Sequence, residues 1–326
     1  MLFVDNQNIN DPRVNLAIEE YLLRHVHVDE PLLLFYINEP SVIIGRNQNT
    51  IEEIDPNFIE ANGIHVVRRL SGGGAVYHDL GNLNFSFVTN GRSQLHNFAE
   101  FTQPVIAVLQ SLGVDAELRG RSDIFADGKK ISGNAQYASG GRMFSHGTLL
   151  FDSNLANLLK ALNPRQVKIE SNAVRSIRNF VTNIRELLAE DMDIGHFREV
   201  LLEGLFAQER PFYDLTPSAW EKIEQISQER YQSWDWNVGL SPTFNVQKTE
   251  KLPAGKIDVR IVVENGRIQN IYFFGDFSGT KDVGELQKQL AGVPYDKEAL
   301  MARLRDTAVA DYFGGIEVSE LVGLIY

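Results

Sequence analysis

The segment of residues 68–79 reads RRLSGGGAVYHD and combines two arginines, three glycines and a His-Asp pair. Three successive glycines between predicted strands let the backbone approach a ligand closely and offer N–H groups to an anion. Arg68 and Arg69 can neutralise a phosphate or a carboxylate. Neither a P-loop sequence nor a G-x-G-x-x-G dinucleotide pattern occurs in the chain. The segment therefore predicts an anion-binding loop of another kind.

A second candidate is the predicted hairpin of residues 123–137, whose Asp-Gly turn is typical of a type I′ connection. Alternation along its second strand places Lys130, Ser132 and Asn134 on one face and Lys129 on the other. Because the two lysines cannot both point into one cleft, we expect Lys130, on the polar face, to be the cation directed at a phosphate.

Two positions near these motifs add to the candidate site. Gly133 lies inside the predicted strand, which indicates a close approach by a ligand. His146 precedes an apolar run and is as consistent with a structural histidine as with a ligand contact.

The helices and strands predicted around these residues indicate an α+β fold. A large catalytic domain with a mixed β-sheet and flanking helices is followed by a small α+β C-terminal domain. Residues 233–255 are rich in Trp, Pro, Ser and Asn and are interpreted as the linker, which places the domains at 1–246 and 247–326. The predicted helices are 12–24, 51–62, 98–112, 154–162, 182–188, 194–207, 217–230, 283–290 and 297–312. The predicted strands are 32–36, 41–45, 64–70, 75–78, 83–89, 123–126, 129–137, 146–152, 256–263 and 267–274.

Composition narrows the class of function. The chain has 326 residues, of which 43% are hydrophobic and 23% charged, as in ordinary globular proteins. A net charge of -12 argues against a nucleic-acid partner. The absence of cysteine excludes disulfides, Cys-ligated metals and a Cys nucleophile. With no signal-peptide pattern and no apolar stretch of ~18 residues, we expect a cytoplasmic protein without a membrane partner.

The order of several motifs closely resembles lipoate–protein ligase A. The resemblance covers nearly the whole chain, and its two glycine-containing motifs are specific. The matching segments are RLSGGGAVYHDLGN from Arg69, GRSD from Gly120, GKKISG from Gly128, HGTLL from His146, VTNI from Val181, SPTFN from Ser241 and FGDF from Phe274.

That resemblance implies a biotin/lipoate ligase-like catalytic fold with an accessory domain. It implies that ATP and Mg²⁺ are used to convert lipoate to lipoyl-AMP with loss of pyrophosphate. The acyl group then passes to a lysine of lipoyl carrier proteins, which are the E2 subunits of 2-oxoacid dehydrogenases and the glycine cleavage H protein. Such chemistry needs fixed positive charge at the α-phosphate and no protein nucleophile.

The resemblance also implies roles for individual residues, with Lys130 as the catalytic cation and Asp123 as a Mg²⁺ contact. The implied ATP contacts are Arg69, Gly74, Ala75, Val76, Tyr77 and Lys130. The implied lipoate contacts are Ser71, Gly73, His78, Lys130, Gly133 and His146.

Three other functions are compared with this prediction. An octanoyl or lipoyl transferase of the same fold would carry the acyl group on a cysteine, which the chain lacks. A biotin ligase would have a Gly-Arg-Gly-Arg type of loop, whereas residues 120–122 read GRS. A non-catalytic module that binds lipoate or its carriers would not need Lys130 or Arg69, and both are present. Lipoate-dependent ATP–pyrophosphate exchange separates that module from a ligase.

Overall fold

The computed structural model describes residues 1–91, 93–162, 180–206, 209–239, 246–264 and 266–326. The chain forms two compact units. The first comprises Met1–Ile43, Glu52–Arg68 and Val76–Asn237, and the second comprises Ile44–Ile51, Arg69–Ala75 and Val238–Tyr326. The second unit therefore combines the C-terminal region with two short segments that interrupt the sequence of the first. Both units contain helices and β-sheet, so the α+β prediction is confirmed.

Ten described strands precede the C-terminal region and form two sheets. They are β1 Leu2–Val4, β2 Leu32–Ile37, β3 Ser41–Ile44, β4 His65–Arg68, β5 Val76–His78, β6 Asn82–Asn90, β7 Ala116–Arg119, β8 Asp123–Ala126, β9 Lys129–Ser139 and β10 Arg142–Leu150. The large sheet has the order β1-β2-β6-β10-β9-β8-β7, and the small one has the order β4-β3-β5. Strands β1 and β2 are parallel, while β2, β6, β10, β9, β8 and β7 pair antiparallel.

The described helices of the same region flank these sheets. They are α1 Pro12–His25, α2 Thr50–Glu53, α3 Pro56–Ala61, α4 Phe98–Ser111, α5 Leu155–Ala161, α6 Ile194–Phe206, α7 Pro217–Ile226 and α8 Trp234–Asn237. A 3-10 turn covers Ile184–Leu187, and a π-helical turn covers Ser227–Tyr231. None of the helices in the described ranges is long and apolar enough to cross a membrane.

The large sheet has one apolar and one mixed face. Leu83, Phe85 and Phe87 of β6 project into a core that α4 and α6 complete through residues such as Phe101 and Phe197. The side chains between them on β6 are Asn84 and Ser86, which alternation directs to the opposite face. That opposite face is where polar chemistry can be placed on a rigid sheet.

Helix α1 lies against the mixed face. Its start agrees with the sequence, because the Asp11 side chain accepts a hydrogen bond from the Arg13 amide and Pro12 occupies the first turn. Glu19 and Glu20 are both buried in this helix. Glu20 accepts a hydrogen bond from the Tyr231 hydroxyl at 2.9 Å and pairs with Arg230 at 3.0 Å, so it fixes the helix to the π-helical turn.

The C-terminal part of the second unit has its own sheet and core. Its strands are β11 Val246–Leu252, β12 Gly255–Glu264 and β13 Arg267–Gly275, and its helices are α9 Val283–Leu290, α10 Lys297–Leu304, α11 Ala310–Phe313 and α12 Val318–Ile325. The strands pair antiparallel in chain order. The buried core uses residues of this region, including Ile257, Phe277 and Phe313.

Several sequence-based boundaries differ from the structure. The helix predicted for residues 51–62 is interrupted, because Asp55 caps α3 and Pro56 cannot continue a helix from the preceding turn. The strand predicted from residue 146 begins at Arg142, after a Gly140-Gly141 turn in which both glycines have positive φ. The linker interpretation is wrong for β11, which is a paired strand, while residues 240–245 lie outside the described ranges.

Candidate active site

A β-bulge in β9 determines where Lys130 points. Strands β8 and β9 pair Ile124 with Ser132 but Phe125 with Lys130, so Ile131 is the extra residue. Its buried side chain enters the core. The face assignment made from simple alternation is therefore wrong for Lys130, because a bulge exchanges the faces of the residues before and after it. Lys130 lies on the same face of β9 as Gly133, and not on the face of Ser132 and Asn134. Lys129 still lies on the face opposite to Lys130.

The Lys130 ammonium group is fixed above Gly133. Its Nζ atom lies 2.9 Å from Oδ2 of Asp123, and Asp123 pairs with Gly133 across the two strands. A Cβ atom at Gly133 would lie 3.2 Å from the same Nζ. About a third of each charged side chain is exposed, at 36% for Lys130 and 34% for Asp123. The cation is therefore oriented by its neighbours and still accessible to a ligand.

The backbone of Lys130 is held from a second direction. Its amide donates to the Phe180 carbonyl at 2.7 Å, and the Thr182 amide donates to the Lys130 carbonyl at 3.2 Å. These bonds form a short parallel bridge centred on Val181. The bridge supports the strand beside its bulge, where the regular ladder to β8 is shifted.

A chain of side-chain amides orients His78 at the end of β5. Asn6 donates to Asn15, Asn15 donates to Asn38, and Asn38 donates to Nδ1 of His78, with distances of 2.9, 2.9 and 3.0 Å. Since Asn38 uses its carbonyl oxygen for Asn15, its amino group faces the histidine. Nδ1 therefore accepts, and the neutral His78 ring carries its proton on Nε2.

His146 is fixed in the opposite tautomer. Its Nδ1 lies 2.9 and 3.1 Å from the two carboxylate oxygens of Glu19. A carboxylate accepts, so Nδ1 carries a proton. Both residues are buried, and the ring also packs against Phe144 with centroids 4.8 Å apart. Asn15 and Glu19 are one turn apart on α1, so a single helical face orients both histidines.

The mixed face of the large sheet changes from polar to apolar along its strands. Gly133 donates its amide to the Thr148 hydroxyl at 3.2 Å, and Thr148 pairs with Asn84. Two residues farther along, Ala135 and Ser86 flank His146, and the next row contains Tyr137, Phe144 and Val88. The rows with Asp123 and Phe144 are separated by about 14 Å of strand. The mixed face of the sheet therefore has a charged end at the row of Asp123 and an apolar end at the row of Phe144.

The glycine loop Arg69–Ala75 belongs to the second unit. Within the loop, Nη2 of Arg69 donates to the carbonyls of Gly72 and Gly74 at 2.7 and 2.8 Å, and its Nε donates to the Ser71 hydroxyl at 3.0 Å. The guanidinium group, which is buried, therefore draws the loop's carbonyl groups inward. Gly73 has a φ of 94°, a conformation that favours glycine.

The backbone amides of this loop differ from its carbonyl groups, which accept hydrogen bonds from Arg69. Across the described part of the chain, the amides of Gly72, Gly73 and Gly74 have no hydrogen-bond acceptor. Consecutive N–H groups of this kind are a common way to bind phosphate oxygens. The sequence prediction of an anion-binding loop is consistent with this geometry.

The structure distributes the predicted site residues between the two units. The first contains Val76, Tyr77, His78, Asp123, Lys130, Gly133 and His146, and the second contains Arg69, Ser71, Gly73, Gly74 and Ala75. Burial raises the pKa of the Tyr77 hydroxyl above its ordinary value.

Arg68 has a different role from its neighbour Arg69. It is completely buried, and its Nε donates to the Trp236 carbonyl at 2.9 Å. The Trp236 indole returns a hydrogen bond to the Arg68 carbonyl at 2.8 Å. The sequence interpretation of Arg68 as an anion ligand is therefore wrong, because this side chain connects β4 to α8.

A Mg²⁺ ion would find few ligands from the protein. Across the described ranges, no group of three or more histidine or acidic side chains is arranged to hold a metal. Asp123 supplies one carboxylate, and its Oδ2 is paired with Lys130. Mg²⁺ is commonly bound by one or two carboxylates together with substrate phosphates. Asp123 fits this pattern only with phosphate oxygens as the remaining ligands.

Sequence reasoning missed the residues that orient the histidines. Asn15, Glu19 and Asn38 are buried and polar, and they lie outside the motifs of the sequence. A signal was present, since Asn15 and Glu19 interrupt the apolar face of an otherwise regular amphipathic helix. Buried polar groups at such positions need partners, and here the partners are histidines.

Two family models match this chain over most of its length. Residues 11–206 match the lipoyl protein ligase A/B catalytic domain, and residues 241–325 match the bacterial lipoate protein ligase C-terminus. Lipoate-protein ligase LplJ of Bacillus subtilis is 53% identical over all of both chains. Lipoate–protein ligase 1 of Staphylococcus aureus is 45% identical, again over all of both.

Solved structures give the same result for the fold. The P. falciparum LipL1 structure in complex with lipoate has a TM-score of 0.81 at 23% identity and covers 100% of this chain and 98% of that one. A lipoate-protein ligase A bound with ATP has a TM-score of 0.62 at 31% identity, covering 74% and 98%. The resemblance found in the sequence is thus confirmed: the chain is a lipoate–protein ligase and belongs to the lipoyl protein ligase A/B family.

Proposed function

We propose that the chain ligates lipoate in two steps at the site described above. In the first, a carboxylate oxygen of lipoate attacks the α-phosphorus of ATP, and the bond to pyrophosphate breaks. In the second, the ε-amine of a carrier lysine attacks the acyl carbon of lipoyl-AMP, AMP leaves and the nitrogen loses a proton. The observation that carries this proposal is the Lys130 ammonium group held above Gly133 beside Asp123.

Lys130 acts on the charge that develops during activation. The attacking carboxylate and the α-phosphate are both anionic, and a fixed ammonium group reduces their repulsion and stabilises the transition state. Because the Asp123 contact and the bulge set its direction, little reorganisation is needed when substrates bind. Gly133 leaves room for the substrate beside the ammonium group, since it has no side chain.

The glycine loop binds phosphate through its backbone. Gly72, Gly73 and Gly74 present amides, and Arg69 holds the carbonyls away from the anion. Arg69 therefore contributes mainly by shaping the loop. Ser71, Ala75, Val76 and Tyr77 remain proposed substrate contacts on either side of these glycines.

The polar-to-apolar gradient of the large sheet orients lipoate. Its carboxylate lies at the Lys130 end, and its acyl chain extends toward the row of Tyr137 and Phe144. His78 and His146 border this path in opposite tautomers. Asn38 holds His78, and Glu19 holds His146. An amphipathic acid fits such a face better than a uniformly polar substrate does.

Mg²⁺ would be held by Asp123 together with phosphate oxygens of ATP. Bound there, the ion would supply additional positive charge at the phosphates. The residues of the chain would still orient the carboxylate and exclude alternative binding modes.

The proposed acceptors are lipoyl carrier domains, among them E2 subunits of 2-oxoacid dehydrogenases and the glycine cleavage H protein. Support comes from an archaeal structure of a bi-partite lipoate protein ligase and its E2 lipoyl domain from Thermoplasma acidophilum, which is 30% identical with a TM-score of 0.66 and covers 75% of this chain and 98% of that one.

The test follows both half-reactions with purified protein. Pyrophosphate release should require lipoate as well as ATP, and intact-mass spectrometry of a carrier domain should show one lipoyl addition. Replacing the acceptor lysine of the carrier should abolish the addition but not the release. Carrier lipoylation at full rate without ATP would exclude the proposed mechanism.

A further inference from the structure

Residues 275–282, called the strap here, comprise the last residue of β13 and the connection to α9, and they contact the segment Ile44–Ile51 within the second unit. The Gly275 amide donates to the Asn47 carbonyl at 2.8 Å. At the other end of the strap, Nη2 of Arg46 lies 2.7 Å from Oδ2 of Asp282. The strap is therefore bonded at both ends to a segment distant from it in sequence.

The middle of the strap contacts the glycine loop. A Cβ atom on Gly72 would lie 2.5 Å from the Phe277 carbonyl oxygen and 3.1 Å from Cβ of Ser278. Backbone atoms cannot move aside as a flexible side chain can. Gly72 therefore permits a close approach between the loop and the strap, and any larger residue would separate them.

The other side of the strap is held by the C-terminal core. The Phe277 ring is completely buried against Phe313, with centroids 4.9 Å apart. The amides of Thr280 and Lys281 both donate to the Asp311 carbonyl, at 2.6 and 2.9 Å. With a buried anchor and paired backbone groups, the strap has a defined position in its unit.

The two contacted segments are also bonded to each other. The Arg46 amide donates to the Ser71 carbonyl at 2.9 Å, and the Arg69 amide donates to the Ile44 carbonyl at 2.9 Å. A Cβ atom on Gly45 would lie 1.9 Å from the Gly73 carbonyl oxygen. A displacement of Ile44–Ile51 would therefore displace the carbonyls and amides of the glycine loop.

We propose that the strap positions the glycine loop for ATP, with Arg46 and Asp282 as the positioning pair. Neither residue contacts the reacting atoms, and both act through the orientation of the loop amides. The inference rests on the proposed adenylation step and extends it. In this proposal the loop amides bind the β- and γ-phosphates, which leave as pyrophosphate, so the pair matters for activation and not for transfer from lipoyl-AMP.

The test compares the two half-reactions in the full-length protein. Asp282→Asn and Arg46→Gln should each raise the KM for ATP in lipoate-dependent pyrophosphate release by about 2- to 5-fold, because the pair is partly exposed. The KM for lipoate and the rate of transfer from supplied lipoyl-AMP should stay unchanged.

Lys281→Gln is the matched control. It breaks an ion pair of similar length, 2.8 Å to Asp311, one position away from Asp282 but within the C-terminal region. Its KM for ATP should equal that of the wild type. An unchanged KM for ATP in Asp282→Asn would overturn the positioning role, as would an equal loss in both half-reactions. If the wild type itself forms no lipoyl-AMP, the proposed function fails instead, so the two failures are distinguishable.

Discussion

The ammonium group of Lys130 stands over a position without a side chain, and this arrangement predicts a large and specific effect of its removal. Lys130→Ala should lower lipoate-dependent pyrophosphate release by ~10²–10³-fold, as loss of a fixed electrostatic group commonly does. Lys129→Ala should change the rate little, because that side chain faces the other side of β9. Thermal melts should show that both variants fold. Equal losses in the two variants would contradict the assigned directions.

Tyr231 gives a test at the residue scale that concerns stability. Its buried hydroxyl donates to Glu20 at 2.9 Å. Tyr231→Phe leaves this carboxylate with fewer donors and should lower the free energy of unfolding by about 1–3 kcal/mol at pH 8. Tyr326→Phe removes a hydroxyl from a half-exposed ring and serves as the control. Urea titrations followed by tryptophan fluorescence measure both.

The same variant has a defined pH dependence. Burial, with a further contribution from Glu20, raises the pKa of Tyr231 well above its ordinary value. The unfolded chain therefore loses the proton first, so the wild type should lose stability as the pH rises above about 10. Tyr231→Phe lacks this contribution, and the two stabilities should converge between pH 8 and pH 10.5. A constant difference over that range would argue against the shift.

At the scale of elements, the contact between Gly45 and Gly73 makes a sharp prediction. A methyl group at Gly45 would overlap the Gly73 carbonyl oxygen at 1.9 Å. Gly45→Ala should therefore displace the glycine loop, weaken ATP binding and cost about 1–3 kcal/mol of stability. Isothermal titration with a non-hydrolysable ATP analogue measures the affinity.

Gly323→Ala is the control for that experiment. Apart from its two chain neighbours and the backbone of its own helix, no heavy atom lies within 4 Å of a Cβ atom at Gly323, which is in α12. Alanine there should leave ATP affinity unchanged and raise helix stability by up to about 1 kcal/mol. Unaltered affinity in Gly45→Ala would show that the loop does not depend on this contact.

The elements also show which local features a sequence can predict. The Asp127-Gly128 turn was predicted because its residue types suit positive φ, and both residues have it, at 51° and 75°. The bulge at Ile131 was not predicted, because alternation assumes one residue per position and an extra residue leaves no mark in the residue types. The two lysines do lie on opposite faces of β9, but the residues that share the face of Lys130 differ from those that alternation predicts.

At the scale of the whole molecule, the C-terminal region should fold alone. Its core draws on residues between Ala254 and Ile325 and contains three packed aromatic rings, those of Phe273, Phe277 and Phe313. We expect residues 246–326 to unfold cooperatively on heating. Circular dichroism at 222 nm measures the transition, and a gradual loss of signal would contradict the prediction.

Phe313→Ala provides the companion variant for this fragment. Removing a completely buried phenylalanine typically costs about 3–5 kcal/mol, a large share of the stability of a small domain. The variant fragment should therefore be largely unfolded at 37 °C. Met301→Ala, at a position with 39% exposure, should leave the transition nearly unchanged.

The division of the molecule into units was the least predictable feature. Composition placed a boundary near residues 233–255, but nothing local assigns Arg69–Ala75 to the second unit. That assignment depends on contacts such as Gly72 with Phe277, about 200 residues away in sequence. The family resemblance identified the loop residues because a motif is a local stretch of sequence. The contacts that support the loop come from residues far away in the sequence, and no motif marks them.

The separation between the glycine loop and the strap has a consequence for protein synthesis. A ribosome adds ~5–20 residues per second, so roughly 10–40 s pass between the emergence of the loop and that of residues 275–282. During this interval the nascent chain contains the residues proposed to bind phosphate without the segment that contacts them. If the strap positions the loop as proposed, we expect the order of translation to delay ATP consumption until the C-terminal core has formed, and a chain truncated by premature termination is not expected to adenylate lipoate.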